Sequence, residues 1–308
     1  MTTRGRILLT GAGGFIGRAL AASLAADGWT VRAAMRAPGR LPGVAETVTA
    51  DLAAPMDWTD ALAGVDAVIH SAGIAHAGPG LPDALYERVN RDATLELARA
   101  AAGRVGRFVF LSSIRAQSGP TAPGRLTEDT PPAPTDAYGR SKLTAEEALA
   151  GLDLACVALR PVVVYGPGVR GNVGTLLRLA RLPVPLPFAS LTAPRAFLAL
   201  DNLVDAVRLL LDRPEPVRGP LIAADPSPTS LAEFLAAMRR GMGRSPMMLP
   251  LPPAVMATAA AALGKADLWE RIAGPLEADP TRLLSLGWRP PARSTPEGVE
   301  RWLRSDRG

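Results

Sequence analysis

A chain of 308 residues, 48% hydrophobic and 20% charged, is long enough for one large α/β domain or a cofactor domain with a smaller companion, and too apolar to be disordered throughout. Its net charge of +5 permits an acidic partner such as a nucleotide, a phosphate or an anionic membrane surface, but the arginines are scattered (Arg32, Arg36, Arg104, Arg107), which argues against nucleic-acid binding. A single cysteine, Cys156, excludes an intrachain disulfide, and with only His70 and His76 beside it no metal-ligand cluster appears.

The opening MTTRGRILLT runs straight into a strand-like segment, so no secretory leader is expected and the cytoplasm is the expected compartment. The apolar run AVMATAAAALG at 254–264 is far short of the roughly 20 residues that span a bilayer, so no transmembrane segment is expected. In chain order, a buried strand at 7–10 leads into a helix at 14–26, which ends at Asp27-Gly28 where glycine relieves a left-handed cap. Strands follow at 30–35, 47–50 and 67–70, then a helix near 83–102 and a strand at 107–112. A Gly/Pro/Ser/Thr-rich loop at 115–135 precedes a helix at 136–150 and a strand at 154–160. Alternating strands and helices predict parallel βαβ units, hence a Rossmann-like, doubly wound α/β fold. After Pro161 the texture changes, with prolines crowding 183–187 and 246–253 and helices expected at 172–181, 202–212, 230–241, 254–272 and 296–304. This predicts a cofactor domain over 1–165 and a smaller substrate-binding region over 166–308, partly interleaved with it.

Two local patterns carry chemistry. ILLTGAGGFIG sets Gly11, Gly14 and Gly17, with Phe15 and Ile16 between them, at the passage from first strand to first helix. There glycine permits a tight turn and a close phosphate approach, and the helix N-terminus offers free N–H groups. The spacing is GxxGxxG, with Gly13 supplying an additional GxG. Farther on, Tyr138 and Lys142 in AYGRSK stand at i and i+4 of a helix and so share a face. A phenol beside an ammonium, whose charge favours the phenolate, can take the proton of an alcohol while a hydride leaves its carbon. Ser112 and Ser113 end the 107–112 strand at the edge where ligands of parallel sheets gather. At the second strand no carboxylate stands ready for the ribose hydroxyls of NAD. Arg36 there suits the 2′-phosphate of NADP or adenine stacking, or is an ordinary solvated arginine. Asp51, with Leu52 after it, suits a hydrogen bond to adenine, or is a plain loop carboxylate.

In this order the motifs resemble the extended short-chain dehydrogenase/reductases of the NAD-dependent epimerase/dehydratase family, over nearly the whole chain. TGAGGFIG is similar to the family's TGxxGxxG loop, and VIHSAGIAH to its fourth-strand motif, which implies that Ala72 and Gly73 lie along the cofactor. Asn90 in YERVN resembles the family asparagine, FVFLSSI implies a catalytic Ser113 supported by Ser112, and YGRSK is the YxxxK signature. LRPVVVYGPG, PRAFLALDNLVDAV and LGWRP resemble later family segments, the second implying that Arg195 contacts a substrate diphosphate, and RGN at 170–172 implies Asn172 as another such contact. No acid follows Ser113, unlike the family's dehydratases. The resemblance implies catalysis by Ser113, Tyr138 and Lys142 with NAD or NADP. The expected substrate is a nucleotide sugar, epimerised at C4 through a transient keto sugar, and the expected assembly a homodimer. Alternatives are an NADPH-dependent ketoreductase, an epimerase of a lipid-linked diphospho-sugar, or a silent NAD(P)-binding module.

Overall fold

The computed structural model describes residues 4–37, 39–75 and 81–306, with backbone alone at 267, 268 and 270. His76 therefore lies outside the described residues. The first strand, β1 (Arg6–Thr10), has Ile7, Leu8 and Leu9 fully buried, the continuous apolar run of a strand covered on both faces. Helix α1 (Phe15–Ala26) follows, and Gly28 (φ 91°) turns the chain into β2 (Thr30–Met35). Next come β3 (Glu46–Thr49), β4 (Ala67–His70), α2 (Asp83–Tyr86) and α3 (Ala93–Ala101), these two helices being joined by a π-helical turn at Glu87–Asp92. The single helix expected at 83–102 thus contains a wider turn, which hydrophobic periodicity does not register. Strand β5 (Arg107–Leu111) leads through a 3₁₀ turn at Ile114–Ala116 and the short β6 (Arg125–Leu126) to α4 (Ala137–Ala150), β7 (Cys156–Pro161) and β8 (Val163–Tyr165).

The remaining elements are α5 (Gly171–Ala180), β9 (Pro194–Arg195), β10 (Phe197–Ala199), α6 (Leu200–Asp212), β11 (Gly219–Ala223), β12 (Thr229–Ser230) and α7 (Leu231–Gly241). After them come α8 (Pro253–Ala262), α9 (Ala266–Ala273), β13 (Glu277–Ala278), α10 (Thr281–Ser285) and α11 (Thr295–Ser305). The one helix expected at 254–272 is two, because Gly264 (φ 66°) turns left-handed between α8 and α9.

The main sheet has the order β11-β7-β5-β4-β1-β2-β3, with every pairing from β3 through β7 parallel. Strand order reverses direction between β1 and β4, the switch point outside whose carboxyl ends such sheets bind ligands. The chain forms two compact units. One comprises the described residues through Ser118, Pro131–Pro161 and Val204–Leu221, and the other Gly119–Thr130, Val162–Leu203 and Ile222 onward. The chain thus passes between the units several times, whereas the sequence reading placed one boundary at 165/166 with some interleaving. The first unit has a core around Leu8, Val68, Phe108, Phe110 and Trp58 under its helices. The second is built around Tyr165, Phe197, Phe234 and Trp302, with the Phe197 and Phe234 rings stacked 4.1 Å apart.

Candidate active site

At the end of β1 the glycine loop is shaped by contact as much as by spacing. Gly11 has φ 72°, and a Cβ there would lie 2.8 Å from the Ala72 nitrogen. At Gly17 it would collide with the Gly11 carbonyl. These two glycines let β1, the β4 turn and α1 close on one another. A Cβ on Gly13 meets nothing within 4 Å, so this glycine borders open space. Gly14 caps α1 without a side-chain bond, and no acid occupies the first turn. The N–H groups of Phe15, Ile16 and Gly17 at that helix start meet no side-chain cap. Donors held open beneath a left-handed glycine fit the pyrophosphate of a dinucleotide.

Opposite the loop, α4 brings the predicted residues together. Asp136 caps it, accepting from the Gly139 N–H (2.7 Å), while its other oxygen pairs with the Arg115 guanidinium (2.5 Å). A side chain at Gly139 would strike the Arg115 carbonyl, so the glycine of YGRSK lets α4 start tight against the 3₁₀ turn. Ser113 accepts from the Arg115 N–H (3.2 Å), and its side chain lies near enough to Tyr138 to favour the phenolate. Burial raises the Tyr138 pKa and Asp136 adds to the rise, while the Ser113 side chain and the Arg115 charge pull it down. One turn on, Lys142 is 4% exposed; its Nζ donates to the Leu111 carbonyl (2.9 Å) and sits 4.5 Å over the Phe110 ring. Burial lowers the ammonium to about 8, against the Glu146 charge, which raises it.

Ser112 has a different task from Ser113. Its hydroxyl donates to Glu146, which also takes the Arg160 guanidinium through contacts of 3.1, 3.1 and 2.5 Å. Sequence reading missed this triad, although Tyr138, Lys142 and Glu146 at i, i+4 and i+8 already share a helix face.

Asn90 is fully buried in the π turn. Its Oδ1 accepts from the Ile74 N–H (2.8 Å), and its Nδ2 donates to the Ile74 carbonyl and the Ser141 hydroxyl (both 3.0 Å). It thereby fixes the turn after β4, and a Cβ on Gly73 would stand 2.8 Å from Asn90 Oδ1 and 3.3 Å from Lys142 Nζ. Behind this turn Thr94 donates its only hydroxyl proton to the Asn90 carbonyl (2.8 Å). Nε2 of His70 must therefore be the donor to Thr94 (2.8 Å), and Nδ1 the acceptor from Thr10 (2.8 Å). Thr10 in turn accepts from the Ala72 N–H (3.1 Å). His70 is thus a neutral structural link, its pKa pushed down to about 3 by burial and the Lys142 charge.

Arg36 is exposed just beyond β2. Asp51 is exposed and accepts from the Ala53 N–H (3.1 Å), a local turn, while Leu52 packs on the core. In the second unit Asn172 is exposed in the first turn of α5, whose cap is Arg170. Arg195 is 5% exposed and donates to the carbonyls of Gly274 and Pro120; burial lowers it to about 10. Cys156 is buried, its thiol pushed up to about 12 by burial, which leaves it inert. Among the described residues no group of three or more His, Cys, Asp or Glu could hold a metal ion, and no helix is long and apolar enough to cross a membrane.

The chain is 34% identical over 299 residues to a UDP-glucose 4-epimerase of Vibrio cholerae, covering 92% of this chain and 90% of that one. It is 29% identical over 306 residues to a ceramide reductase of Caulobacter vibrioides, covering 96% and 89%. Among solved structures it is similar to MoeE5 in complex with UDP-glucuronic acid and NAD, with 28% identity, a TM-score of 0.75, and coverage of 98% of this chain and 100% of that one. The family model described as the NAD dependent epimerase/dehydratase family matches residues 7–222. That span runs from β1 into β11 and takes in the whole switch-point sheet with its glycine loop and YxxxK helix, so the chain belongs to the NAD dependent epimerase/dehydratase family.

Proposed function

We propose that the protein interconverts the C4 epimers of a UDP-linked hexose or N-acetylhexosamine. The observation that carries this reading is the convergence of Ser113, Tyr138 and Lys142 beside the glycine loop and the β4 turn, in a chain 34% identical to a UDP-glucose 4-epimerase. The backbone N–H groups at the start of α1 would hold a dinucleotide's pyrophosphate, and Gly73, Asn90 and Lys142 would border its ribose. The nicotinamide supplies a hydride acceptor and donor when bound. Tyr138 takes the proton of the C4 hydroxyl and returns it after the keto sugar has turned. Ser113 orients the reacting oxygen. Lys142 contributes a positive charge, which requires it to stay protonated, so turnover that depends on it declines as pH rises through about 8. Asn172 and Arg195 remain the proposed diphosphate contacts, with the Arg195 guanidinium exchanging a carbonyl for a phosphate oxygen. A homodimer in the cytoplasm is the proposed state.

Tyr138→Phe should slow epimer interconversion by roughly 10²–10⁴ while leaving thermal melting unchanged, since only the general base is lost. Near-normal turnover by NMR would defeat the assignment.

A second reading is an NADPH-dependent reductase of a carbonyl substrate. The exposed Arg36 and the lack of a carboxylate at the end of β2 favour it, as does the ceramide reductase among the relatives. Stoichiometric loss of the reduced-nicotinamide band with a keto substrate, and no epimerisation of UDP-hexoses, would select it.

A further inference from the structure

The second unit carries an apolar surface that its core does not use. Leu182 (44% exposed), Val184 (50%), Met247 (44%), Leu249 (53%), Val255 (52%) and Leu263 (73%) account for all but one of the large exposed hydrophobic side chains described. The hydrogen bonds make most of them neighbours. Leu186 donates to Met247 O (2.9 Å), Leu249 to Leu186 O (2.8 Å) and Ala189 to Leu249 O (3.1 Å), so 182–189 runs beside 247–249. Arg239 pins the same two segments from beneath, donating to the carbonyls of Leu182, Val184, Pro246 and Met247 at 3.0, 2.6, 2.8 and 3.3 Å. The chain then enters α8, PAVMATAAAA, in which Met256 alone is buried. Val255, Thr258, Ala259 and Ala262 share its outward face, and the Thr258 hydroxyl turns back to the Ala254 carbonyl (2.9 Å). A helix face turned to solvent with no charged group is unusual, and a patch of this kind marks an interaction surface.

Charge identifies the occupant. The sequence holds no Asp or Glu from 154 to 200, nor from 234 to 266, the two stretches that build this surface. Arg178, Arg181, Arg244 and Lys265 are exposed along them, and no described carboxylate pairs with the first three. A second copy of the chain would bring this patch against itself by two-fold symmetry, basic rim to basic rim, with no Asp or Glu in either stretch to answer it. An anionic bilayer answers both parts, taking the apolar side chains into its interface and the arginines against its headgroups.

We infer that α8 and the 182–189 and 246–249 segments seat the protein on an anionic lipid surface, as a peripheral contact that does not cross the membrane. This inference does not depend on the epimerase reading. The test is co-sedimentation of the full chain with vesicles of phosphatidylglycerol and phosphatidylcholine in equal parts, against pure phosphatidylcholine, at physiological ionic strength. The wild type should pellet with the anionic vesicles only. Val255→Asp with Leu263→Glu, at side chains more than half exposed, should abolish binding with little change in the thermal melt. Arg181→Glu with Arg244→Glu should weaken it at least about tenfold. Equal binding to neutral vesicles, or none to either, overturns the inference. So does a fall from dimer to monomer in the Val255/Leu263 variant without vesicle binding by the wild type, which would assign the face to a second copy.

Discussion

Buried arginines are handled in opposite ways in the two units. In the sheet unit, Arg160 (3% exposed) meets a carboxylate, Glu146, which also holds Ser112. In the second unit, Arg239 (1% exposed) has no acid among the described residues but five backbone carbonyls, those of Ala180 and of the four residues already named. Asp225 there has no base among the described residues, and accepts instead from Ala199 N–H, Asn202, Tyr165 and Thr295 at 2.9, 2.7, 2.9 and 2.8 Å. The reason lies in the backbone. A parallel sheet consumes its own carbonyls in the ladder, so Arg160, buried on β7, is answered by a side-chain anion. Proline-rich loops leave carbonyls and amides unpaired, and a single ion can satisfy several of them while stitching distant segments together.

That contrast can be broken by substitution. The largest effect is expected at the ion pair, where Glu146→Gln strands a buried guanidinium and should cost about 3–5 kcal/mol in urea denaturation. Replacing both partners by apolar side chains should restore most of that loss. In the Gln variant the alkaline limb of the pH–rate profile should also move below about 8, because the charge that raises Lys142 is gone. Arg239→Met should cost less, about 1–3 kcal/mol, since water can reach carbonyls on exposed segments once the guanidinium is removed. An equal or greater loss than at Glu146 would contradict the contrast.

His70 offers a test by pH. Its folded pKa of about 3 lies below the ordinary histidine value of 6.5, so the unfolded chain binds the extra proton and stability falls as pH drops between them. Going from pH 7 to 5 should cost about 2 kcal/mol from this residue, at 1.36 kcal/mol per pKa unit. His70→Gln should flatten that part of the acid dependence, whatever its effect at neutral pH. The smallest effect is expected in the glycine loop. Gly13→Ala, with free space around it, should change stability by less than about 0.5 kcal/mol, whereas Gly17→Ala should abolish dinucleotide binding. Equal behaviour of the two, by melting and by cofactor titration, would show that the loop is not held by these contacts.

Much of the fold was legible because its signals are local. The strands at 30–35 and 67–70 fall where the apolar runs put them. The helix expected at 136–150 is α4, and the shared face of Tyr138 and Lys142 follows from spacing along it. The glycine pattern also marks its loop, though the spacing does not reveal that Gly11 and Gly17 are forced by contact while Gly13 is free.

By itself, the sequence determined the alternation that builds a parallel sheet, the turn at the end of β1, and the phenol one helical turn from an ammonium. Each depends on residues a few positions apart, whose geometry the backbone fixes. Tertiary structure alone decided that Ser112 is committed to Glu146 and, through it, to Arg160. It also decided that His70 bridges Thr10 and Thr94, and that Arg195 and Arg239 lie among carbonyls from loops remote in sequence. Those partners are set by which segments the folded chain brings side by side, and no period in the sequence encodes such a meeting.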